Sequence, residues 1–332
     1  MSNTSSSPRL SRRTFQFAAL LAALGASQAS WAQNYPVKPV RLVVPFPPGG
    51  GTDMVARALG QKLSERLGQP VVVDNRPGAA TIIGTEAVVK SAPDGYSMLL
   101  SGSTSFTVNP ALRANLPYDP VKDLAPLAIV ARAPLALVVA ASAPWRSTRE
   151  LVAAARAKPR DLRYATFGSG SGPHLAGELF ALAAGVELQD VPYKGSSQAT
   201  LAVMAGEIEI GIDTVATIAP HVKSGKLRVL GIVGATRSSL LPDVATLSEQ
   251  GWPEATFDAW YGFAVPVQVP APIQQRLVSD LQAVAADPAL QAQLRAQGME
   301  PVQLGQQAFA ALMQTEIARY RNLAQRARIV AE

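Results

Sequence analysis

From residue 40 onward the chain alternates two apolar patterns. Val40 to Phe46 is an apolar run broken only by Arg41, as expected of a strand buried on both faces. Pro47-Pro48-Gly49-Gly50-Gly51 ends it, with Thr52 or Asp53 as a candidate N-cap. Val55, Leu59, Leu63 and Leu67 then recur every fourth residue and mark one helical face, with Gly68 placed to close the helix. Val71 to Val73 predicts a second strand, Ile83 to Lys90 a helix, and Tyr96 to Leu100 a third strand.

The pattern restarts further on. Leu135 to Ala140 predicts a strand, and Ser147-Thr148-Arg149-Glu150 has the spacing of a capping box at a helix start. A strand at Leu162 to Thr166 leads through the glycine loop Phe167 to Gly172 into a helix ending at Ala184, before Gly185. Leu188 to Val191, Ile208 to Ile212 and Leu227 to Val233 predict further strands, and Ser197 to Ala205 a helix closed by Gly206. The last 60 or so residues are rich in alanine and glutamine and predict helices without strands, packed back on the first set. Strands alternating with helices predict an α/β fold with parallel sheets. Two such sets, each opening on a Gly-rich strand-to-helix turn, predict two lobes of related design, with crossing strands near Leu135 to Ala143 and Thr256 to Phe263.

Before residue 33 the chain has a different character. Arg12-Arg13 precede the apolar stretch Phe17 to Gly25, and Ser30-Trp31-Ala32 offers small residues at a cleavage site. That order is a secretory signal, and the paired arginines suggest the twin-arginine route, with cleavage near Ala32 into the periplasm. No later run is long and apolar enough to span a bilayer, so a soluble mature protein is expected. The signal also holds three arginines and no acid, so without it the net charge falls from +6 to +3. No basic run remains, which argues against a nucleic-acid partner. The 332 residues contain no cysteine, so disulfides and thiolate chemistry are excluded.

Ligands of open α/β sheets bind at the carboxyl ends of the strands, where helix N-termini offer free N–H groups. The loops so placed are Pro48 to Asp53, Asn75 to Ala80 with Ala79, and Ser101 to Ser105 with Ser103 in the first set. In the second they are Gly168 to His174, Tyr193 to Ser197, and Asp213-Thr214. Rich in glycine and hydroxyls and poor in fixed cations, they suit a small carboxylate better than a polyphosphate. Several of these residues also have plain structural roles open to them. Asp53 can be an N-cap, His174 a helix-start residue, Tyr193 a packing residue, Arg76 a turn anchor and Lys194 a solvated charge. Enzyme motifs fail: in Gly168-Ser169-Gly170-Ser171-Gly172 the middle residue is glycine where a nucleophile elbow needs serine. There is no P-loop, and His174 and His221 lack metal-ligand spacing, so no cofactor and no metal are expected.

The chain resembles the Bug family, the substrate-binding proteins of tripartite tricarboxylate transporters. The resemblance rests on Tyr35-Pro36, Arg41 to Asp53 with Ala56-Arg57, Val73 to Ala79, Pro93-Asp94-Gly95-Tyr96, Asn109-Pro110, and Tyr164-Ala165-Thr166 with Gly168-Ser169-Gly170. It continues through Val191 to Gly195, Gly225 to Arg228 and Trp260-Tyr261-Gly262, covering essentially the whole chain after the signal. It implies a type II periplasmic-binding-protein fold, a Venus flytrap joined by two crossover strands, with residues 33–138 and 260–332 as lobe 1 and 139–259 as lobe 2. It implies a carboxylate held between Pro48, Gly49, Gly50, Thr52 and Asp53 of lobe 1 and Ser169, Gly170, Ser171, His174, Tyr193 and Ser196 of lobe 2. The expected role is delivery of that ligand by a monomer to integral membrane transporter subunits. A sensory subunit signalling to a membrane kinase is the alternative. One departure stands out: the family's Gly-Gly-Asn after the Arg-Pro-Gly-Ala turn is replaced here by Thr81-Ile82-Ile83 following Ala80. An apolar wall from Ile82 and Ile83 predicts a partly apolar acid, aromatic or medium-chain, over citrate.

Overall fold

The computed structural model describes residues 35–329. The expected signal, residues 1–32, and its cleavage point near Ala32 lie outside them.

In the first lobe, β1 (Val40–Val44) pairs in parallel with β2 (Val71–Asn75) and β3 (Ser97–Gly102). Helix α1 (Gly51–Leu67) joins β1 to β2, and α2 (Ile82–Val89) lies before β3. The four-residue spacing seen in the sequence is the buried face of α1: Val55, Leu59 and Leu63 are fully buried against Leu42, Val44 and Leu100. After β3 a π-helical turn (Thr104–Val108) and α3 (Asn109–Leu112) carry the chain past the end of the sheet, and α4 (Pro120–Asp123) leads into β4.

Strand β4 (Leu124–Ala140) holds the two lobes together. Its first half pairs antiparallel with β9 (Asp258–Pro266), Leu124 opposite Pro266 and Pro134 opposite Asp258. Its second half, from Leu135, pairs with β7 (Ile210–Thr214) and β8 (Leu227–Ile232) in the other lobe. The sequence pattern marked only the second half, because Pro126 and Pro134 argue against a central strand. In the structure Pro126 sits at a register shift, and Pro134 falls where the strand changes sheets.

The second lobe adds α5 (Thr148–Ala157), β5 (Arg163–Thr166), α6 (Gly172–Ala184), β6 (Gln189–Pro192), α7 (Ser196–Ala205) and α8 (Val215–Lys223). Strand β5 pairs in parallel with β6 and β7. Helix α6 crosses β5 so closely that a Cβ on Gly177 would lie 2.2 Å from a ring carbon of Tyr164. That ring is fully buried and its hydroxyl donates to Glu178 at 2.7 Å, so it cannot retreat and only glycine fits.

The tail departs from the sequence expectation twice. Between α9 (Ala271–Ala285) with α10 (Pro288–Ala296) and the last helix α11 (Gln306–Ala327) lies a strand, β10 (Glu300–Gly305), paired antiparallel with β4. Nor does α11 stay with the first lobe. Its Phe309 and Met313 pack with Trp260 and Phe106 around the crossing strands, and its Tyr320 and Leu323 enter the second lobe's core beside Phe257 and Leu135.

Candidate functional site

Four segments converge on a cleft of about 430 Å3. From the first lobe come Pro45–Pro47 after β1, the turn around Pro77–Thr81 after β2, and Thr104–Arg113 after β3. From the second lobe comes the loop Phe167–Gly172, which opens α6. All follow the carboxyl ends of parallel strands, where exposed backbone N–H groups and helix N-termini gather.

The β1–α1 loop is tied down by Asp53, which is 3% exposed. One carboxylate oxygen accepts from the Gly49 N–H and from Arg57 Nε, both at 2.9 Å. The other accepts from Asn75 Nδ2 at 3.0 Å, and that amide also reaches the Phe46 carbonyl at 3.1 Å. The Arg57 guanidinium and these donors hold the carboxyl below its ordinary range. Thr52 is buried and bonds the Tyr261 hydroxyl. Both side chains thus face inward. Asp53 and Thr52 shape the loop and are not among the residues lining the cleft.

The turn after β2 is strained. Ala79, Ala80 and Thr81 all have positive φ, at 45°, 50° and 78°. Each costs on the order of 1–3 kcal/mol for a residue with a Cβ. A buried polar cluster holds the turn in place. Asn109 Nδ2 donates to the Ala80 carbonyl at 2.8 Å, the Ser105 hydroxyl donates to Thr81 Oγ1 at 2.8 Å, and the Thr85 hydroxyl lies 2.9 Å from the Thr81 carbonyl. Gly78, Ala80 and Thr81 line the cleft.

In the second lobe Gly168 and Gly170 take φ of 99° and 76°, which glycine alone adopts freely. The Ser171 hydroxyl accepts from the Phe167 N–H at 3.2 Å, and His174 Nδ1 accepts from the Gly170 N–H at 3.0 Å. His174 is buried behind the loop it shapes. Ser169, Gly170, Ser171 and Gly172 present the start of α6 to the cleft.

The remaining expected site residues fall elsewhere. Pro48, Gly49 and Gly50 are exposed at the rim, next to the lining residue Pro47. Ala79 is exposed between two lining residues. Ser103 is buried, its carbonyl accepting from the Thr107 hydroxyl at 3.0 Å. Tyr193, Ser196 and Asp213 form no part of the cleft wall. The Asp213 carboxylate accepts from the Ser196 and Thr200 hydroxyls and from the Thr214 N–H, joining α7 to the end of β7. Burial pushes its carboxyl up, against those bonds. Arg76 pairs with Asp74 at 2.8 Å as a turn anchor.

The apolar wall is real but has other owners. Ile83 is 53% exposed and packs on Gly78, and neither it nor Ile82 lines the cleft. Phe46, Pro47, Pro77, Val108, Leu112 and Phe167 do. The sequence passed over Val108 to Arg113 because no glycine loop marks them, although Asn109-Pro110 lies only a few residues beyond the Ser101 to Ser105 loop. Among the described residues no group of three or more His, Asp or Glu side chains is placed to hold a metal ion.

Comparison with known proteins gives a consistent result. The family described as "Tripartite tricarboxylate transporter family receptor" matches residues 55–329. Protein BugT of Bordetella pertussis is 39% identical over 247 residues, 74% of this chain and 76% of that protein. Among solved structures, R. palustris Rpa4515 with adipate has a TM-score of 0.78 at 34% identity, covering 89% of this chain and 99% of that one. MatC (Rpa3494) from Rhodopseudomonas palustris with bound malate has a TM-score of 0.72 at 28% identity, covering 87% and 99%. The architecture is that of the two-lobed periplasmic binding proteins.

Proposed function

The chain belongs to the tripartite tricarboxylate transporter receptor family, whose members are solute-binding receptors and not enzymes, and from that premise we propose that its cleft captures a small carboxylate with an apolar body for delivery to integral membrane subunits of a transporter. The observation that carries this is the composition of the cleft. Hydroxyls and backbone of Ser169–Gly172 at the start of α6 face an apolar wall led by Phe46, Leu112 and Phe167. A helix start favours an anion, and the wall favours a hydrocarbon body. Adipate in one related structure supports both parts of this chemistry, and malate in another supports the carboxylate part.

The lobes are taken as residues 33–138 with 260–332, and 139–259. The change of sheet between Pro134 and Leu135 favours a first boundary a few residues earlier, and α11 belongs to both. The receptor acts as a monomer without a nucleic-acid partner.

A ligand can close two lobes only by binding the closed form better than the open one. Each lobe here supplies part of the cleft wall, which supports such a difference, and the β4–β9 pair is our proposed axis of rotation. Thermal-shift screening of carboxylates should find acids that raise the melting temperature. Small-angle scattering with such an acid at saturation should give a smaller radius of gyration than ligand-free protein. An unchanged radius would mean a rigid pocket.

Export by the twin-arginine route with cleavage near Ala32 rests on Arg12-Arg13 and the small residues before Gln33. Mass measurement of the mature protein from the cell envelope should give a chain starting near Gln33. Intact residues 1–32 on the exported protein would refute it.

A further inference from the structure

The apolar residues of the cleft wall stand on different cores. Phe46 packs on the core of its own first lobe, and Phe167 on a core of its own second lobe. Leu112 crosses between the lobes. Its chain comes from the first lobe through β3 and the π-helical turn, but its side chain packs on the second lobe's core, as does that of the buried Val108. A methyl carbon of Leu112 lies 3.1 Å from where a Cβ on Gly170 would stand. It therefore covers the loop Ser169–Gly172, where the carboxylate is proposed to bind. The backbone under it has little room to withdraw. Asn109 Nδ2 ties the start of α3 to the Ala80 carbonyl at 2.8 Å, and Arg321 Nη2 of α11 donates to the Pro110 carbonyl at 3.2 Å. The half-buried side chain is thus held from behind by packing while it lines the cleft.

We propose that Leu112 is the stop that sets the length of acid the cleft accepts. The inference rests on the receptor function proposed above and narrows its ligand class by chain length. An acid anchored at Ser169–Gly172 lays its hydrocarbon body along Phe46 and Phe167, with Leu112 across its path. A body that fits buries apolar surface against Leu112. A longer one must displace a side chain packed on the second lobe's core or hold the two lobes apart, and close packing resists both. A second role for Leu112 is purely structural, as the contact that joins α3 to the second lobe. In that role its truncation would weaken all acids alike, whatever their length.

Adipate, pimelate and suberate, each one methylene longer than the last, separate the two roles when measured by calorimetry on the native protein, Leu112→Ala, Leu112→Val and Leu112→Met. One buried methylene is worth roughly fourfold in affinity, so native protein should prefer adipate to suberate by about tenfold. Leu112→Ala, which clears three carbons, should raise the suberate-to-adipate ratio by about tenfold, and Leu112→Val, which clears one, should raise the pimelate-to-adipate ratio by about fourfold. Leu112→Met keeps the volume and should leave both ratios within about twofold of native. Ratios unchanged in Leu112→Ala and Leu112→Val, equal losses for all three probes, or native protein that prefers suberate would overturn the inference and leave the receptor function standing. If Leu112→Ala does not fold, Leu112→Val decides alone. Native protein that binds none of the three would overturn it too. The receptor function itself falls only if a wider carboxylate panel, malate included, also fails to bind.

Discussion

Asp53→Ala should lose about a hundredfold in affinity for any carboxylate that binds the native protein, and on the order of 3 kcal/mol in stability, although Asp53 does not line the cleft. Its one carboxylate gathers the Gly49 N–H, Arg57 Nε and Asn75 Nδ2 within 3.0 Å. Hydrogen bonds to a charged group are worth roughly 1.5–3 kcal/mol each, and the exposed arm to Arg57 falls at or below the low end. Without the carboxylate, the loop from Phe46 to Gly50 keeps only the Asn75–Phe46 contact among these bonds. Phe46 and Pro47 would then no longer be fixed as cleft wall. Asp53→Asn, which keeps an acceptor and the side-chain shape, should lose less of both. The pH dependence follows from the sign of the shift. A carboxyl held below its ordinary range contributes stability that is present above the unfolded value near 3.8 and lost as pH falls through the lower folded value. Calorimetry and denaturant titration of both variants check this. Native affinity in Asp53→Ala would mean that the β1–α1 loop does not help form the site.

The same residue marks how far the sequence could be read. That a Gly- and Pro-rich loop follows a buried strand at residues 47–51 and again after Thr166 was legible, because each break interrupts an apolar run and precedes a helical period. Which way the side chains of those loops point was not. Asp53, Thr52 and His174 sit in first turns of helices, where a polar group can face a ligand or its own loop with equal local cost. Here the packing of α1 beside Asn75 and the Tyr261 hydroxyl turned Thr52 and Asp53 inward, and the Gly170 N–H turned His174 toward its own loop. The apolar wall was inferred from Ile82 and Ile83 by their place in the chain, but the left-handed run at residues 79–81 swings Ile83 outward onto Gly78. Nothing local announces such a run in residues with a Cβ. It exists because Asn109 and Ser105, more than twenty residues away, hold it together with Thr85 of the following helix. Strand β10 was hidden for a related reason. It is a half-buried strand whose pairing with β4 is irregular between Pro301 and Leu304, so it carries neither a clean alternation nor an apolar run.

Glu316→Gln should make the protein more stable above neutral pH and leave it unchanged near pH 4.5. Glu316 lies on α11 where the last helix, the crossing strand β9 and the π-helical turn meet. The Trp260 indole N–H lies 3.2 Å from both carboxyl oxygens, and the Thr107 hydroxyl oxygen lies 2.9 Å from one of them. Asp258 on β9 faces it with like charge, Arg319 on its own helix with opposite charge, and the buried Tyr320 hydroxyl has no hydrogen-bond partner among the described residues. Burial outweighs the two donors and pushes the carboxyl up to about 7. With the unfolded value near 4.5, the native state holds a proton that the unfolded state has released between those limits. Stability from this group is therefore complete below about pH 4.5 and declines as pH rises through about 7. The total loss is on the order of 3 kcal/mol at about 1.4 kcal/mol per unit. Glutamine keeps an oxygen for the Trp260 N–H and cannot ionise, so the decline should vanish. Other groups of the chain titrate in both proteins, including Asp258, which burial also pushes up. The difference in unfolding free energy between native protein and variant, measured by denaturant titration from pH 4.5 to 8.5, isolates Glu316. It should open steadily in favour of glutamine up to about pH 7 and then level off. A flat difference would mean that Glu316 is already ionised at acid pH, held by Arg319 and its two hydrogen-bond donors against burial.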